Sequence, residues 1–456
     1  MDRRQFLKAS SAVAASCTLN PPLFAKALPP TPVETFKLEI RPVTVVLAPG
    51  HAVHTIGYNG QVPGPLLRMR EGVPVQVDVT NSTANEELVH WHGLHIPSQV
   101  DGSSEEGSAV IPPGKSLRYN FTPSPSGSRW YHTHTMAGRD LARATYTGQY
   151  GFLYIDPKHE PGNYDQEVFL AVHHWEPSFT SPHDNWRDCP SPSSSDVSYK
   201  YASFNDKLLG VGEPLRVKKG HRVLFHFLNA SATEDVLLSF PRHKFTVVAL
   251  DGNPVPNPTQ VEVLSLAVAE RVDALVEMTL PGKWVLGSIN RTERERGLGL
   301  VVEYAGETGE AQWEPPAAID WRYGLFANQA SPQPAVTLTM LFEKRAGTSA
   351  GMDIWTINGK SFPDVPAIRV KEGERYLLRL VNATACAHPV HLHRHSFELK
   401  RVVEVPMSGI MKDTVQLSPY GVVDVELVAN QPGPTLFHCH QQFHMDFGFM
   451  QMIEYV

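Results

Sequence analysis

Residues 438–444 of this chain read His-Cys-His-Gln-Gln-Phe-His, a dense group of sulfur and nitrogen side chains of the kind that bind metal ions. Side chains alternate between the two faces of a β-strand. His438 and His440 would therefore point to one face and Cys439 to the other. One strand could then serve two metal sites, which suits a protein that takes up electrons at one site and uses them at another.

Cys439 needs further ligands to form a metal site. His444 can supply one imidazole, and His388, which opens the run His-Pro-Val-His-Leu-His at 388–393, can supply a second. A thiolate with two imidazoles and a weak fourth position is the ligand set of a blue-copper centre. Zinc also binds Cys and His, but structural zinc sites usually contain closely spaced cysteine pairs, and this sequence has none. The pattern favours copper.

His-x-His pairs occur four times in the chain. The pairs are His90 and His92, His132 and His134, His391 and His393, and His438 and His440. A single pair is weak evidence, because most such histidines are surface or core residues. Four pairs, one of them interrupted by cysteine, indicate a shared site in which eight imidazoles could hold three copper ions.

Three internal repeats indicate three domains of one type. In each unit a Gly and an Asn stand nine positions apart, with an alternating apolar run between them: Gly72 and Asn81, Gly220 and Asn229, Gly373 and Asn382. Asn-Gly or Asn-Asp precedes each unit, at positions 59, 205 and 358. The period of about 150 residues is a common domain size.

The middle unit lacks metal ligands. Five residues after Gly127 the chain reads His-Thr-His, and five residues after Gly433 it reads His-Cys-His. Five residues after Gly282 it reads Gly-Ser-Ile, in which no residue is a good copper ligand. We therefore expect the eight-imidazole site at the interface of the first and third domains, with the second domain as a spacer.

The remaining signal is β-structure. Runs such as 43–47, 75–79 and 423–428 alternate or are β-branched, and 33 glycines and 38 prolines suit turns rather than long helices. We predict an all-β protein of three Greek-key β-sandwich domains. The expected boundaries are 28–160, 161–305 and 335–456, with a linker at 306–334.

The N-terminus is typical of a targeting segment. Residues 2–8, Asp-Arg-Arg-Gln-Phe-Leu-Lys, form a twin-arginine signal before a short apolar run, and Ala25-Lys26-Ala27 offers a cleavage site. We expect residues 1–27 to be removed after export by the twin-arginine machinery to the periplasm or the medium. A lipoprotein site at Cys17 is the weaker alternative.

The four histidine segments resemble the copper-binding motifs of the multicopper oxidases, the family of laccases, ascorbate oxidase and bacterial cuprous oxidases. The resemblance extends over nearly all of the chain after the leader, and it implies cupredoxin-like domains with four copper ions. By this resemblance His388, Cys439 and His444 bind the type 1 copper, and His90 and His391 bind the type 2 copper. One type 3 copper is bound by His92, His132 and His440, and the other by His134, His393 and His438.

The chain departs from part of the family at the type 1 site. Many members have an axial methionine ten residues after the cysteine, where this chain has Phe449, followed by Met450. A non-coordinating side chain there resembles the high-potential fungal laccases. The alternative is a one-residue shift that allows Met450 to bind the copper.

Asp101 lies where the family places an acid near the type 2 copper, which implies a role in proton supply. Because Gly102 follows, a simple turn is the alternative interpretation. Some members carry a further acid between the last ligands, where residues 441–443 here read Gln-Gln-Phe. A second carboxylate for proton supply is therefore in doubt.

The substrate is predicted from methionine content. A cuprous oxidase of the copper-resistance kind would carry a methionine-rich segment over the type 1 site, but this chain has 11 methionines, and the nearest group is Met445, Met450 and Met452. We expect a laccase-like enzyme that oxidises phenols or aromatic amines and reduces dioxygen to water. The alternatives are a copper(I) oxidase in copper tolerance and an exported scaffold without activity, although every motif position is filled.

Charge and cysteine content bound the remaining partners. The net charge of −7 and the absence of a basic patch speak against nucleic acid, and no segment after the leader reads as a membrane span. We expect a monomer. If Cys439 binds copper, Cys189, in a Pro- and Ser-rich loop, and Cys386 are available to form a disulfide in an oxidising compartment.

Overall fold

Strands dominate the computed structural model, which describes residues 33–158, 163–180, 196–330, 338–347 and 352–456. Helices are short. They are α1 (Ser98–Asp101), α2 (Arg291–Glu295) and α3 (Gln442–Asp446), with 3₁₀ turns at Ala144–Tyr146 and Tyr323–Leu325. No helix in these described ranges has the length and apolar character needed to cross a bilayer.

The strands fall into three successive groups along the chain. The first domain contains β1 (Glu34–Ala48), β2 (His51–Tyr58), β3 (Gly64–Arg70), β4 (Val75–Asn81), β5 (His90–His92), β6 (Ser116–Phe121), β7 (Gly127–His132) and β8 (Tyr150–Asp156). The second contains β9 (Gln166–Phe179), β10 (Val197–Phe204), β11 (Leu215–Val217), β12 (Arg222–Asn229), β13 (Val236–Ser239), β14 (Phe245–Leu250), β15 (Asn253–Val261), β16 (Val263–Leu266), β17 (Arg271–Glu277), β18 (Lys283–Ser288) and β19 (Gly299–Tyr304). The third contains β20 (Leu338–Arg345), β21 (Ile354–Ile357), β22 (Ile368–Val370), β23 (Arg375–Asn382), β24 (His388–Leu392), β25 (Phe397–Val402), β26 (Val405–Pro406), β27 (Met411–Lys412), β28 (Thr414–Leu417), β29 (Val422–Val428), β30 (Thr435–Cys439) and β31 (Met450–Tyr455).

Each group forms two sheets with the same pattern of connections. One sheet has the order β2-β1-β4-β6 in the first domain, β10-β9-β12-β17-β14-β15 in the second and β21-β20-β23-β29-β25-β26 in the third. The other has the order β3-β8-β7-β5, β11-β19-β18-β13-β16 and β22-β31-β30-β24-β28. Equivalent strands pair in parallel in all three domains, for example β1 with β4, β9 with β12 and β20 with β23. The predicted all-β fold of three Greek-key sandwiches is confirmed.

The repeated Gly and Asn positions have equivalent roles in the three domains. The glycines at 72, 220 and 373 have φ of 75°, 87° and 81°, a conformation that suits glycine in the turn before β4, β12 and β23. Each asparagine that ends these strands donates from Nδ2 to two main-chain carbonyls, as Asn229 does to Glu234 (2.8 Å) and Leu266 (3.0 Å). The nine-residue spacing therefore corresponds to one strand, which begins after a glycine turn and ends at an asparagine whose amide group binds two main-chain carbonyls.

The apolar side chains of the two sheets pack between them. The first domain has its own core around Leu38, Val77 and Trp91. A larger core runs continuously through the second and third domains and includes Phe225 and Leu399. The sequence runs 43–47, 75–79 and 423–428 lie in β1, β4 and β29, as predicted.

The predicted domain boundaries, linker and leader remain predictions. The described part of the predicted linker, 306–330, contains the 3₁₀ turn Tyr323–Leu325 and no named strand. The leader, including Cys17, and the loop with Cys189 lie outside the described residues. Cys386 is disulfide-bonded, which is compatible with the predicted pairing.

A buried charged cluster joins the first two domains. His226 lies between two carboxylates, with Nδ1 2.8 Å from Asp273 Oδ1 and Nε2 3.2 Å from Glu167 Oε1. Ser128 of the first domain donates its hydroxyl to the same Asp273 oxygen (2.6 Å). Burial alone would lower the pKa of His226, but the two carboxylates outweigh burial and raise its pKa to about 9.

This cluster predicts a pH-dependent contribution to stability. Because the folded pKa of His226 lies above the unfolded value of about 6.5, its contribution is complete below that pH and is lost as the pH rises through about 9. We expect the difference in unfolding free energy between wild type and His226→Gln to shrink by roughly 2–3 kcal/mol between pH 6 and 9.5. Urea unfolding at both pH values measures it. His54→Gln, at an exposed position on β2, is the control, and a difference that stays constant with pH contradicts the prediction.

Candidate metal centres

The four His-x-His segments lie on short strands of the first and third domains. Strand β5 contains the first pair from end to end, so both imidazoles share one face. In the other pairs the second histidine lies beyond the end of its strand. His393 and His440 come directly after β24 and β30, and His134 lies two residues after the end of β7. Alternation along a single strand, which the sequence predicts for all four pairs, therefore applies in full only to β5, because the other strands end between the two histidines.

Strand pairing brings the segments together within each domain. In the first domain β5 pairs with β7, with His90 opposite His132. In the third domain β24 pairs with β30, with His391 opposite His438. Each domain thus presents two of its segments side by side at one end of a sheet.

The two domains then face each other across these segments. The ring of His92 stacks on that of His391, with centroids 3.7 Å apart, and His90 stacks on His393 at 4.0 Å. His440 lies 5.1 Å from both His92 and His132 between ring centroids. The structure therefore brings all eight predicted histidines together at the interface of the first and third domains.

Most of these rings are oriented by a hydrogen bond through one nitrogen. The donors and acceptors are His90 Nδ1 to Asp101 O (2.9 Å), His92 Nε2 to Asp413 Oδ1 (3.1 Å), His132 Nδ1 to Thr133 O (2.7 Å), His391 Nδ1 to Asp413 O (2.8 Å), His393 Nδ1 to Asp101 Oδ2 (2.8 Å) and His438 Nδ1 to Cys439 O (2.9 Å). Metal-binding histidines are usually held in this way, since the bond fixes the tautomer and the ring plane.

The opposite nitrogens of these rings converge on each other. Within the cluster, the buried ring nitrogens that make no hydrogen bond to any described residue are His90 Nε2, His92 Nδ1, His132 Nε2, His391 Nε2 and both nitrogens of His440. In addition, His438 Nε2 lies 3.0 Å from His393 Nε2 and 3.5 Å from His134 Nε2. Buried polar atoms are rarely left unsatisfied, so this donor set fits bound metal ions.

Burial keeps the imidazoles available as ligands. It lowers the pKa of the seven rings at positions 92, 132, 134, 391, 393, 438 and 440, to about 4 for His134 and about 3 for His440. These rings are neutral at neutral pH. A neutral imidazole offers the lone pair that a metal ion requires.

The structure also brings together His388, Cys439 and His444, the three residues that the sequence groups into a second site. Sγ of Cys439 lies 3.7 Å from His388 Nδ1 and 3.5 Å from His444 Nδ1, and the two nitrogens are 3.1 Å apart. All three side chains are buried. Burial raises the pKa of the Cys439 thiol, so the thiolate that copper binds would form together with metal binding.

Phe449 rather than Met450 faces this second site. The Phe449 ring is buried with its centroid 4.9 Å from that of His388, and it belongs to the same apolar core as Cys439. Met450 packs in a separate cluster with Leu436 and Met445. This arrangement supports the predicted non-coordinating position and leaves the thioether on the other side of the strand.

Trp355 packs against two residues of the second site, a contact that the sequence analysis did not predict. Its ring lies 4.0 Å from His444 and 5.0 Å from His388 between centroids. It stands on β21, an edge strand. No ligand motif surrounds Trp355, and only the proximity of the Asn358-Gly359 turn could have placed this strand in the repeat.

Asp101 lies in a turn and also contacts two histidines of the cluster. It ends helix α1 before Gly102, whose φ is 97°, so it is part of a turn. Its carboxylate also accepts from His393 and lies 3.1 Å from His90 Nδ1. Burial would raise the pKa of Asp101, but the neighbouring imidazoles of His90 and His393 outweigh it and hold the pKa well below its usual range.

Two further carboxylates near the histidines were missed. Glu106 Oε2 lies 3.4 Å from His393 Nδ1, and burial raises the pKa of Glu106 well above its usual range. Asp413 contacts His92 and His391. The acidic pair Glu105-Glu106 shortly after Asp101 was a usable signal, whereas Asp413, 22 residues after His391, stands in no recognisable motif.

The loop between the last ligands contains no acid, as the sequence shows. Gln442 serves there as a clamp between domains. It accepts from the Thr145 hydroxyl (2.9 Å) and donates to Asp446 Oδ1 (2.8 Å). Asp446 in turn accepts from the main-chain amides of Ala137 (2.9 Å) and Gly138 (2.7 Å), which holds α3 and its His444 against the first domain.

Comparison with known proteins agrees with these two sites. Three sequence-family profiles, each described as multicopper oxidase, match residues 39–160, 200–300 and 329–455, one in each sandwich. The chain belongs to the multicopper oxidase family. It is therefore a copper-dependent oxidoreductase that uses dioxygen, built from three cupredoxin-like domains.

Individual relatives extend over almost the whole chain. Multicopper oxidase MmcO of Mycobacterium tuberculosis is 29% identical, and the match covers 91% of this chain and 88% of that protein. Copper resistance protein A of Escherichia coli is 23% identical, with 87% and 88% covered. The crystal structure of a multi-copper oxidase from Pseudomonas thermotolerans superimposes with a TM-score of 0.74 at 25% identity, covering 93% of this chain and all of that one.

The position of Phe449 predicts the redox behaviour of the second site. A thioether in the axial position stabilises oxidised copper, so Phe449→Met should lower the reduction potential of the type 1 copper. Redox titration of the blue absorption band measures this. Met450→Leu is the matched control, which should leave the potential unchanged. An unchanged or higher potential in Phe449→Met, or a shift in Met450→Leu, contradicts the assignment of these two side chains.

Proposed function

We propose that this enzyme is a laccase-like oxidase that removes single electrons from phenols and aromatic amines, with four copper ions per chain. His388, Cys439 and His444 would hold the type 1 ion, and the eight paired histidines would hold the other three. The observation that carries the substrate assignment is the burial of the methionines beside the type 1 ligands. A copper(I) substrate site needs accessible thioethers, since copper(I) prefers soft ligands.

The methionines of this chain offer little accessible sulfur. Met445 and Met450 are 4% and 2% exposed, although they are next to the ligands. Among the described residues, Met136 and Met411 are the ones that expose more than a third of their surface. Neither lies within a run of methionines in the sequence.

An aromatic reductant would approach at the edge of the third domain. The edge strand β21 places Trp355 against the His444 ring. The preceding residue, Ile354, is 37% exposed. Because side chains alternate along β21, a phenol at Ile354 would be separated from His444 by the strand and the Trp355 ring, and outer-sphere electron transfer does not require direct contact with the ligand.

The residues of the chain connect the two sites covalently. Bound copper would supply one-electron transfer and the reduction of dioxygen to two waters with four electrons and four protons. Cys439 binds at the first site, and its peptide neighbours His438 and His440 bind at the second. Four phenols that each lose one electron and one proton balance the reaction.

We assign Asp101 to proton supply near the cluster. Its carboxylate contacts His393 and His90 and is completely buried. The position allows this carboxylate to relay protons toward the place where dioxygen must be reduced. Its contact with ligand histidines also orients their rings.

The role of Asp101 predicts a selective kinetic defect. Asp101→Asn should slow reoxidation of the fully reduced enzyme by dioxygen by at least about tenfold, because it removes a positioned acid–base group. Reduction of the type 1 copper by substrate should remain unchanged. Stopped-flow absorbance at the blue band measures both rates. Asp78→Asn, in a surface ion pair with Arg118, is the control, and two intact rates in Asp101→Asn contradict the assignment.

Oxygen uptake tests the proposed substrate. With the copper-loaded wild type we expect kcat/KM at least tenfold higher for a methoxyphenol than for copper(I) held in a weak chelator. Copper analysis should give four ions per chain. A protein that takes up no oxygen with either reductant, or binds no copper, contradicts the enzymatic assignment and favours the scaffold.

A copper(I) oxidase is the second candidate. It is favoured by one finding, the similarity to a protein named copper resistance protein A. A kcat/KM that is higher for copper(I) than for the methoxyphenol would select it. Met136→Leu and Met411→Leu would then show whether the two exposed thioethers bind the ion.

We also propose export by the twin-arginine route to the periplasm or the medium. The Arg-Arg segment at 3–4 and the disulfide at Cys386 support it, because disulfides persist in oxidising compartments. Fractionation of cells that produce wild type and a variant with both arginines replaced by lysine tests this. Equal export of the two contradicts it.

A further inference from the structure

The second domain contributes no predicted copper ligand, yet one of its side chains reaches the ligand shell. Arg271, the first residue of β17, donates to both carboxylate oxygens of Asp413 in the third domain. Its Nη1 lies 2.7 Å from Oδ1 and its Nη2 lies 2.6 Å from Oδ2. Both side chains have no exposed surface.

Asp413 is in direct contact with two histidines of the cluster. Its Oδ1 accepts from His92 Nε2 (3.1 Å), and its main-chain carbonyl accepts from His391 Nδ1 (2.8 Å). These are the two rings that stack at 3.7 Å across the interface of the first and third domains. Asp413 therefore orients one ligand from each domain, His92 through its carboxylate and His391 through its main-chain carbonyl.

Arg271 is the principal cation that holds this carboxylate. Arg129 of the first domain approaches Asp413 only to 3.5 Å and bonds mainly to the Asp251 carbonyl and Ser126. Lys412, although adjacent in sequence, pairs with Asp251 (3.0 Å) and Glu270 (3.1 Å) instead. A two-pronged arginine–carboxylate pair fixes both distance and plane, which a lysine cannot do.

The backbone beside His92 leaves space for this pair. A Cβ atom at Gly93 would lie 2.7 Å from Arg271 Nη2 and 2.7 Å from Asp413 Oδ2. Gly93 also has φ of 85°. Glycine at position 93 thus leaves room for the Arg271–Asp413 pair to pack against the backbone next to His92.

We propose that Arg271 is a positioning residue of the oxygen-reducing centre: through the Asp413 carboxylate it fixes the ring of His92, which stacks on the ring of His391, so the middle domain is a functional part of the metal centre. The inference rests on the proposed role of these two histidines as copper ligands. By this inference the second domain is more than a spacer, because it helps to orient a copper ligand.

Arg271→Lys tests this proposal, because lysine keeps the buried positive charge but cannot make the two-pronged contact with the Asp413 carboxylate. We expect copper affinity at the three-ion cluster, or its rate of reoxidation by dioxygen, to fall about 10- to 100-fold. The paramagnetic resonance signal of the type 2 copper should change. The blue band and the rate of type 1 reduction by substrate should not.

The matched control is Arg379→Lys. Arg379 makes the same two-pronged contact with Asp424 (2.9 and 3.0 Å) in the third domain, without contact to a predicted ligand. Asp413→Asn is the second variant. It should reproduce the cluster defect, and the double variant Arg271→Lys/Asp413→Asn should be no worse than the more severe single one.

Three outcomes overturn the proposal: an unchanged type 2 signal and reoxidation rate in Arg271→Lys, an equal loss of type 1 and cluster copper, or fully additive defects in the double variant. Failure of the proposed function is distinguishable, because it would appear in the wild type as a lack of four bound copper ions. If Arg271→Lys does not fold, Asp413→Asn alone decides, since an intact cluster signal in that variant excludes the carboxylate as the link.

Discussion

The burial of eight imidazoles at one domain interface is the constraint on which the rest of this structure depends. Their inward nitrogens face each other, and among the described residues they have no partner other than a neighbouring imidazole. Polar atoms buried in this way are costly unless a metal ion satisfies them. The opposite nitrogens must therefore be held firmly, and the main-chain carbonyls and carboxylates around the cluster, such as those of Asp101 and Asp413, do this. Fold, domain order and ligand shell all serve to close this interface around the ions.

The second domain takes part in this closure although it contributes no predicted ligand. Its backbone touches the first domain so closely that a Cβ atom at Gly127 would lie 2.0 Å from the Gly252 carbonyl oxygen. Nearby, the Ser128 hydroxyl bonds to the carboxylate that pairs with His226. The same contact region leads to Arg271 and from there to Asp413. A sandwich that lost the ligand positions can thus still determine where the ligands of its neighbours stand.

The sequence predicted the fold and the ligands because both leave local patterns. The nine-residue spacing from Gly72 to Asn81 recurs, and each histidine pair is visible within a few residues. The supporting side chains leave no such pattern. Asp413 is 321 residues from His92, and Arg271 is 142 residues from Asp413. Contacts of this length arise only from the packing of three domains, and no periodicity in a single sequence encodes which buried arginine meets which carboxylate. Trp355 was missed for the same reason.

The two sides of β30 explain how one short strand can serve two chemistries. Cys439 packs with Phe449 in an apolar core, where a single copper ion bound by Cys439, His388 and His444 would supply one-electron transfer. His438 points to the other side, where Asp101, Glu106 and Asp413 lie against ligand histidines. Reduction of dioxygen consumes protons, and the histidine cluster would hold several positive ions, so carboxylates are useful on that side of the strand. Beside Cys439 a carboxylate would place a charge in an apolar core. The separation of the two environments by a single peptide plane keeps the sites close while their surroundings stay different.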